Sequence, residues 1–140
     1  MEEVKNNKDF RKLGDMVARL RKEQARYGRL TIAVDFDDTL CHYNTDNVVP
    51  VAQRPENEDI CNLIRAIGDR AYIILWTCRT GDMLAEALEW INAHKIPIHS
   101  IADNPFANYG GKKIHANIFL DDRAGLRQAY QALNIIYEVE

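Results

Sequence analysis

Leu30 to Tyr43 reads LTIAVDFDDTLCHY, an apolar run followed by three aspartates within four positions, Asp35, Asp37 and Asp38. Leu30 to Phe36 is almost continuously apolar, the pattern of a short strand buried on both faces. Carboxylates repel one another, and a buried strand that ends in several of them needs a counter-charge. Either other parts of the chain supply that charge or an ion does.

The flanking sequence alternates helical and strand patterns. Residues 5–27 carry Phe10, Leu13, Val17 and Leu20 at spacings of three and four, one apolar stripe of a helix that Gly28 ends. Residues 41–55, with Asn44, Asp46, Asn47, Pro50 and Pro55, read as a loop. A helix is expected to start at Pro55, with Ile60, Leu63, Ile64 and Ile67 on one face and Gly68 at its end. Ala71 to Thr77 (AYIILWT) reads as a second buried strand. Residues 80–94 read as a helix with Leu84, Leu88 and Ile91 inward. Ile98–Ile101 is a short strand candidate, ANIFLDD a further strand ending in Asp121 and Asp122, and RAGLRQAYQALN a helix with Leu126, Tyr130 and Leu133 in register. Ile135–Val139 is expected to form a last strand.

Strands alternating with helices imply right-handed crossovers and a Rossmann-like α/β fold, a parallel sheet with helices on both faces. In such sheets ligands bind outside the carboxyl ends of the strands. The rule brings sequence-distant residues to one rim: Asp35, Asp37, Asp38 and Thr39 from the first strand, Thr77, Cys78 and Arg79 from the second, and Asp121, Asp122 and Arg123 from the last. The loop before that strand adds Lys112 and Lys113. A hard divalent cation would relieve the crowded acids, and an oxygen-only ligand set suits Mg²⁺. A metal with a carboxylate, a hydroxyl and a lysine suits phosphoryl transfer, where positioning and counter-charge do most of the catalysis.

The run Asp35-Phe-Asp37-Asp38-Thr39-Leu40 resembles the D-x-D-x-[TV]-[LV] signature of the haloacid dehalogenase-like phosphohydrolases. Thr77 after YIILW is similar to their second motif, Lys113 (with Lys112 as competitor) to the third, and Asp121-Asp122 after NIFL to the acidic fourth. The resemblance spans about residues 30–124, in family order. WTCR and LDDRA resemble small capless phosphatase-like proteins of bacteria and phages. The resemblance implies that Asp35 attacks phosphorus and carries the phosphoryl group, and that Asp37 protonates the leaving oxygen and then takes a proton from water. It implies that Asp35, the carbonyl of Asp37 and Asp121 bind Mg²⁺, with Asp122 direct or through water. Thr77 would hold a phosphoryl oxygen and Lys113 would offset charge. Thr39, Arg79 and Arg123 are substrate-contact candidates, with salt bridges as the alternative for the two arginines. An acid two residues after the nucleophile points to phosphate esters rather than halides, because halide needs no protonation.

The Asp35–Thr77 interval holds one loop and one helix, too little for a cap domain. Only a flap from residues 41–55, and the loop 103–111 with Asn104, Phe106 and Tyr109, would cover the site. An open site takes a large phosphorylated substrate, such as a nucleic-acid end or a phosphoprotein, or is closed by a second subunit. Nucleic acid enters this reading only as substrate.

The 140 residues suit one catalytic domain (29–140) preceded by a helical extension (1–28). Residues 1–29 hold nine Lys/Arg against five Asp/Glu, so the remainder of a chain of net charge −3 carries −7. A solvated helix face or an anionic partner accounts for that asymmetry. Three cysteines without paired spacing argue against disulfides and structural zinc. With no span-length apolar run and no apolar leader, a cytoplasmic protein with no membrane partner is expected. Two other classes compete with a phosphatase: a receiver-like signalling domain, whose motif order differs because there the acid pair precedes the phosphorylated Asp, and a non-catalytic metal- or phosphate-binding protein.

Overall fold

A computed structural model of the protein describes residues 7–43, 49–102, 115–123 and 125–139. The expected loop residues Asn104, Phe106 and Tyr109, the lysines Lys112 and Lys113, and the middle of the 41–55 segment lie outside the described residues.

The chain opens with α1 (Asn7–Tyr27). It ends at Gly28, whose φ of 84° is open to glycine at little cost and whose N–H bonds the Gln24 carbonyl. Next come β1 (Thr31–Val34), α2 (Glu58–Ile67), β2 (Tyr72–Leu75), α3 (Gly81–Ala93), β3 (Ser100–Ile101), β4 (Ile118–Leu120) and α4 (Leu126–Tyr137). The strands form one parallel sheet in the order β3-β2-β1-β4, with the helices around it. This is the Rossmann-like α/β architecture that the alternating pattern implies. All residues of β1 and β2 are buried, as continuous apolar runs in the middle of a parallel sheet should be.

The register decides what the sheet presents at its edge. Val34 pairs with Leu75 and with Leu120. Asp35 N–H continues the ladder to the Leu120 carbonyl at 3.0 Å, and Trp76 N–H to the Val34 carbonyl at 2.8 Å. Three strands therefore end level with one another. Past β1 the Phe36 carbonyl accepts from the N–H groups of Thr39, Leu40 and Cys41, which turns the chain within one helical turn. The strand is consequently shorter than the Leu30–Phe36 apolar run.

Two sequence expectations are corrected. The second helix starts at Glu58, not Pro55. His42 N–H bonds the Pro55 carbonyl and Asn57 N–H bonds the Leu40 carbonyl, so the residues before the helix pair back across the neck of a flap. The 41–55 segment also contains a 3-10 turn at Val51–Gln53. The expected last strand, Ile135–Val139, is instead the end of α4. Ala129, Ala132, Leu133, Ile136 and Tyr137 continue one buried stripe, so packing overrides the β preference of the isoleucine pair.

The core joins all layers. Leu20 of α1 is fully buried with β1, α2 and α4, so the N-terminal helix packs on its own domain. Arg19 of α1 donates to the Asn117 carbonyl at 2.9 Å. In α3 the buried face is Ala87, Trp90 and Ile91, with Leu84 and Leu88 only partly buried against it. Trp90 meets Phe36 edge-on at 5.4 Å between centroids, a contact worth about 0.5–1.5 kcal/mol beyond area. Glu56, at the neck of the flap, pairs with Arg65 of α2 and with His94 after α3, each at 2.8 Å.

At the end of α2 a Cβ on Gly68 would collide with the Pro97 ring and crowd the Ile64 carbonyl. Gly68→Ala is expected to destabilise the fold by about 1–3 kcal/mol through overpacking. Chemical denaturation measures this, and an unchanged midpoint and slope would contradict it.

Candidate functional site

The level strand ends bring three carboxylates together. One ligand oxygen from each of Asp35, Asp121 and Asp122 lies within 4.8 Å of the others. Burial raises the Asp35 carboxyl from its ordinary 3.8 to about 6; the charges of Asp121, Asp122 and Asp37 add to the rise, and a hydrogen bond from Phe36 N–H opposes it. Asp122 is also raised, first by burial and then by a hydrogen bond and charge from Asp121. The charge of Asp121 thus makes both Asp35 and Asp122 harder to ionise. The donors are oxygens only, close enough for one ion, and the electrostatic strain is of the kind a cation relieves. The residues present fit a hard divalent cation.

Thr39 is 0% exposed, and its hydroxyl accepts from Asp122 N–H at 3.2 Å. It ties the turn after β1 to the end of β4, a structural tie in place of the expected substrate contact. Asp38 takes a left-handed conformation, φ 59°, and is exposed; its Oδ1 accepts from Tyr43 N–H at 2.8 Å. Thr77 lies one residue past Trp76 at the end of β2, with its hydroxyl accepting from Arg79 N–H at 3.2 Å. Arg123 is exposed, and its N–H bonds Asp121 Oδ1 at 3.0 Å. The site lysine expected at Lys113 or Lys112 falls outside the described residues.

Asp37 is built differently from its neighbours. Arg79 donates Nε to Oδ2 at 2.9 Å and Nη2 to Oδ1 at 2.8 Å, and Arg54 donates Nη1 to Oδ1 at 2.8 Å. The bonds from Arg79 hold the carboxyl below its ordinary range; burial opposes this, and Arg54 adds to the lowering. Ionised in this way, Asp37 is a proton acceptor. Arg54 is the residue at this candidate site that sequence reasoning missed. It lies in a loop without a motif, and the only sequence signal for it was the surplus of acid at the rim.

The class these features define is a Rossmann-like α/β domain with an acidic cluster at the carboxyl edge of its sheet. The sequence matches no protein-family model and no curated protein. Among solved structures, a conserved protein coded by a locus of Bacteroides thetaiotaomicron is similar to this chain at 26% identity and a TM-score of 0.57. The likeness covers 79% of this chain and 88% of that one, and it bears on the fold.

A carboxyl whose folded value lies above its unfolded value costs stability increasingly as pH rises from about 3.8 to about 6, and in full above that window. Asp35→Asn is therefore expected to stabilise the metal-free protein at neutral pH. After discounting for solvent screening the gain is on the order of 1 kcal/mol, and it vanishes near pH 4. Denaturation at the two pH values with chelator present checks this, and equal or lower stability of Asp35→Asn at neutral pH would contradict it.

Proposed function

We propose that the protein is a Mg²⁺-dependent phosphomonoester phosphatase of the haloacid dehalogenase-like type, working through an aspartyl-phosphate on Asp35. The observation that carries this reading is the convergence of Asp35, Asp121 and Asp122 oxygens within 4.8 Å at the end of a parallel sheet, with Asp37 and Thr77 beside them in sequence or across the strand ends. The fold is the one the resemblance implies.

When bound, Mg²⁺ neutralises the acid cluster and the charge of the phosphoryl group; Asp35, Asp121, Asp122 and the Asp37 carbonyl would hold it. An Asp35 carboxylate oxygen attacks phosphorus, the bond from phosphorus to the ester oxygen breaks, and that oxygen leaves with the electron pair and takes a proton from Asp37. Water then attacks the same phosphorus, Asp37 accepts a water proton, and the bond from phosphorus to the Asp35 oxygen breaks to release phosphate. The arginine pairing of Asp37 suits the second step as it stands. For the first step, a phosphoryl group that competes for Arg79 loosens the pairing and lets Asp37 carry the proton. Thr77 orients a phosphoryl oxygen, and Lys113 supplies further counter-charge. The substrate is a phosphate monoester, and the lack of a cap-length insertion before Thr77 favours a large one. Cys41, Cys61 and Cys78 are free, which suits the reducing cytoplasm. Among the described residues no helix is long and apolar enough to cross a membrane.

A non-catalytic phosphate-binding role is the second reading, favoured by the double pairing that keeps Asp37 ionised. Turnover separates the two. Hydrolysis of p-nitrophenyl phosphate is expected to require Mg²⁺, to stop with chelator, and to fall by at least about 10³-fold in Asp35→Asn. A folded, metal-loaded wild type with no turnover of any phosphate monoester would reject the phosphatase reading.

A further inference from the structure

Two guanidiniums converge on one carboxylate at the flap side of the site. The side chains of Arg54 and Arg79 are only 7% and 8% exposed, while Asp37 is 39% exposed. The local cluster thus carries one cation more than Asp37 can neutralise. Glu86 of α3 adds a further negative charge near Arg79, and an incoming anion would compete for the same guanidinium.

The two arginines are held in different ways. Arg79 lies in the coil between β2 and α3, two residues past Thr77, where a phosphoryl group is expected. Besides Asp37 it reaches the Met83 carbonyl at 3.1 Å and the Phe36 ring at 5.1 Å. Arg54 lies on the return arm of the flap and is fixed from both sides. Its carbonyl accepts from Trp90 Nε1–H at 3.0 Å, and its N–H closes the 3-10 turn on Val51 at 3.1 Å. Its guanidinium lies over the Tyr43 ring at 4.6 Å. Trp90 itself is 1% exposed, so the core holds the Arg54 backbone directly.

We infer that the two arginines divide the work: Arg79 passes to the phosphoryl group when substrate binds, while Arg54 stays and keeps the Asp37 carboxylate at the reacting oxygen. The inference rests on the phosphatase reading. Arg54 is then a positioning residue, acting through Asp37 without touching substrate. Once Arg79 has left, Arg54 Nη1 is the contact from this pair that still orients Asp37. A proton-transfer group displaced by about 1 Å can cost on the order of 10²-fold in rate.

Steady-state kinetics of the full chain with Mg²⁺, on p-nitrophenyl phosphate and on a simple alkyl phosphate, tests this. Arg54→Gln is expected to lower kcat/KM on the alkyl ester by roughly 10- to 100-fold, less on the nitrophenyl ester, with KM on the alkyl ester within about twofold. Arg54→Lys is expected to recover part of kcat, whereas Arg79→Gln is expected to raise KM. Unchanged kcat on the alkyl ester in Arg54→Gln, equal losses of kcat/KM on the two esters, or a KM rise like that of Arg79→Gln would overturn the role. If Arg54→Gln does not fold by circular dichroism, Arg54→Lys decides: reduced kcat at unchanged KM supports the role, and intact kcat overturns it. Turnover by wild type with an unaffected Arg54→Gln sinks this inference alone, whereas no turnover of either ester by wild type sinks the phosphatase reading and this role together.

Discussion

Parallel pairing of β1 with β4 is the constraint on which the site depends. The ladder runs through Val34 and Leu120 and is continued by the Asp35 N–H, so the next residue on each strand emerges on the same edge. Those residues are Asp35 and Asp121. Backbone hydrogen bonds thus hold two carboxylates in a proximity their charges oppose, and Asp122 adds a third. Burial, with the charges of Asp121 and Asp122 adding to it, raises Asp35 to about 6. A fold that keeps such a cost at the edge of its sheet fits a site that gains a cation in use.

The same edge contains a second electrostatic solution. Asp37 lies two residues from Asp35, yet its carboxyl is lowered where Asp35 is raised, because two arginines reach it. One carboxylate is left short of positive charge and the other is oversupplied. Environments that push neighbouring acids in opposite directions are a common way to give them different tasks. Under the proposed reading the strained acid is the nucleophile and metal ligand, and the satisfied acid handles protons.

Much of this was legible in the chain, for physical reasons that also explain the failures. Apolar runs that end in Asp35, Thr77 and Asp121 mark central strands and their edges, and a parallel sheet brings such edges to one side. Alternating helices and strands were enough to place Thr77 and the acids at that edge. Arg54 was not legible because its approach to Asp37 depends on the flap folding back at Cys41 and Glu56, pairings that leave no local pattern. Trp90 was overlooked because the α3 face is set by contacts with Phe36 and the flap, not by leucine periodicity. Ile135 and Ile136 read as strand from side-chain preference alone, while the α4 stripe through Leu133 and Tyr137 decides their conformation. Thr39 is a substrate-contact candidate by sequence, and its hydroxyl accepts from Asp122 N–H.

Whether the three acids share one ion is measured most directly by crystals grown with Mn²⁺ and examined by anomalous scattering. A single strong peak within bonding distance of Asp35, Asp121 and Asp122, absent in Asp35→Asn, is the predicted result. Ordered Asp35 and Asp121 with no peak between them at saturating Mn²⁺ would contradict it.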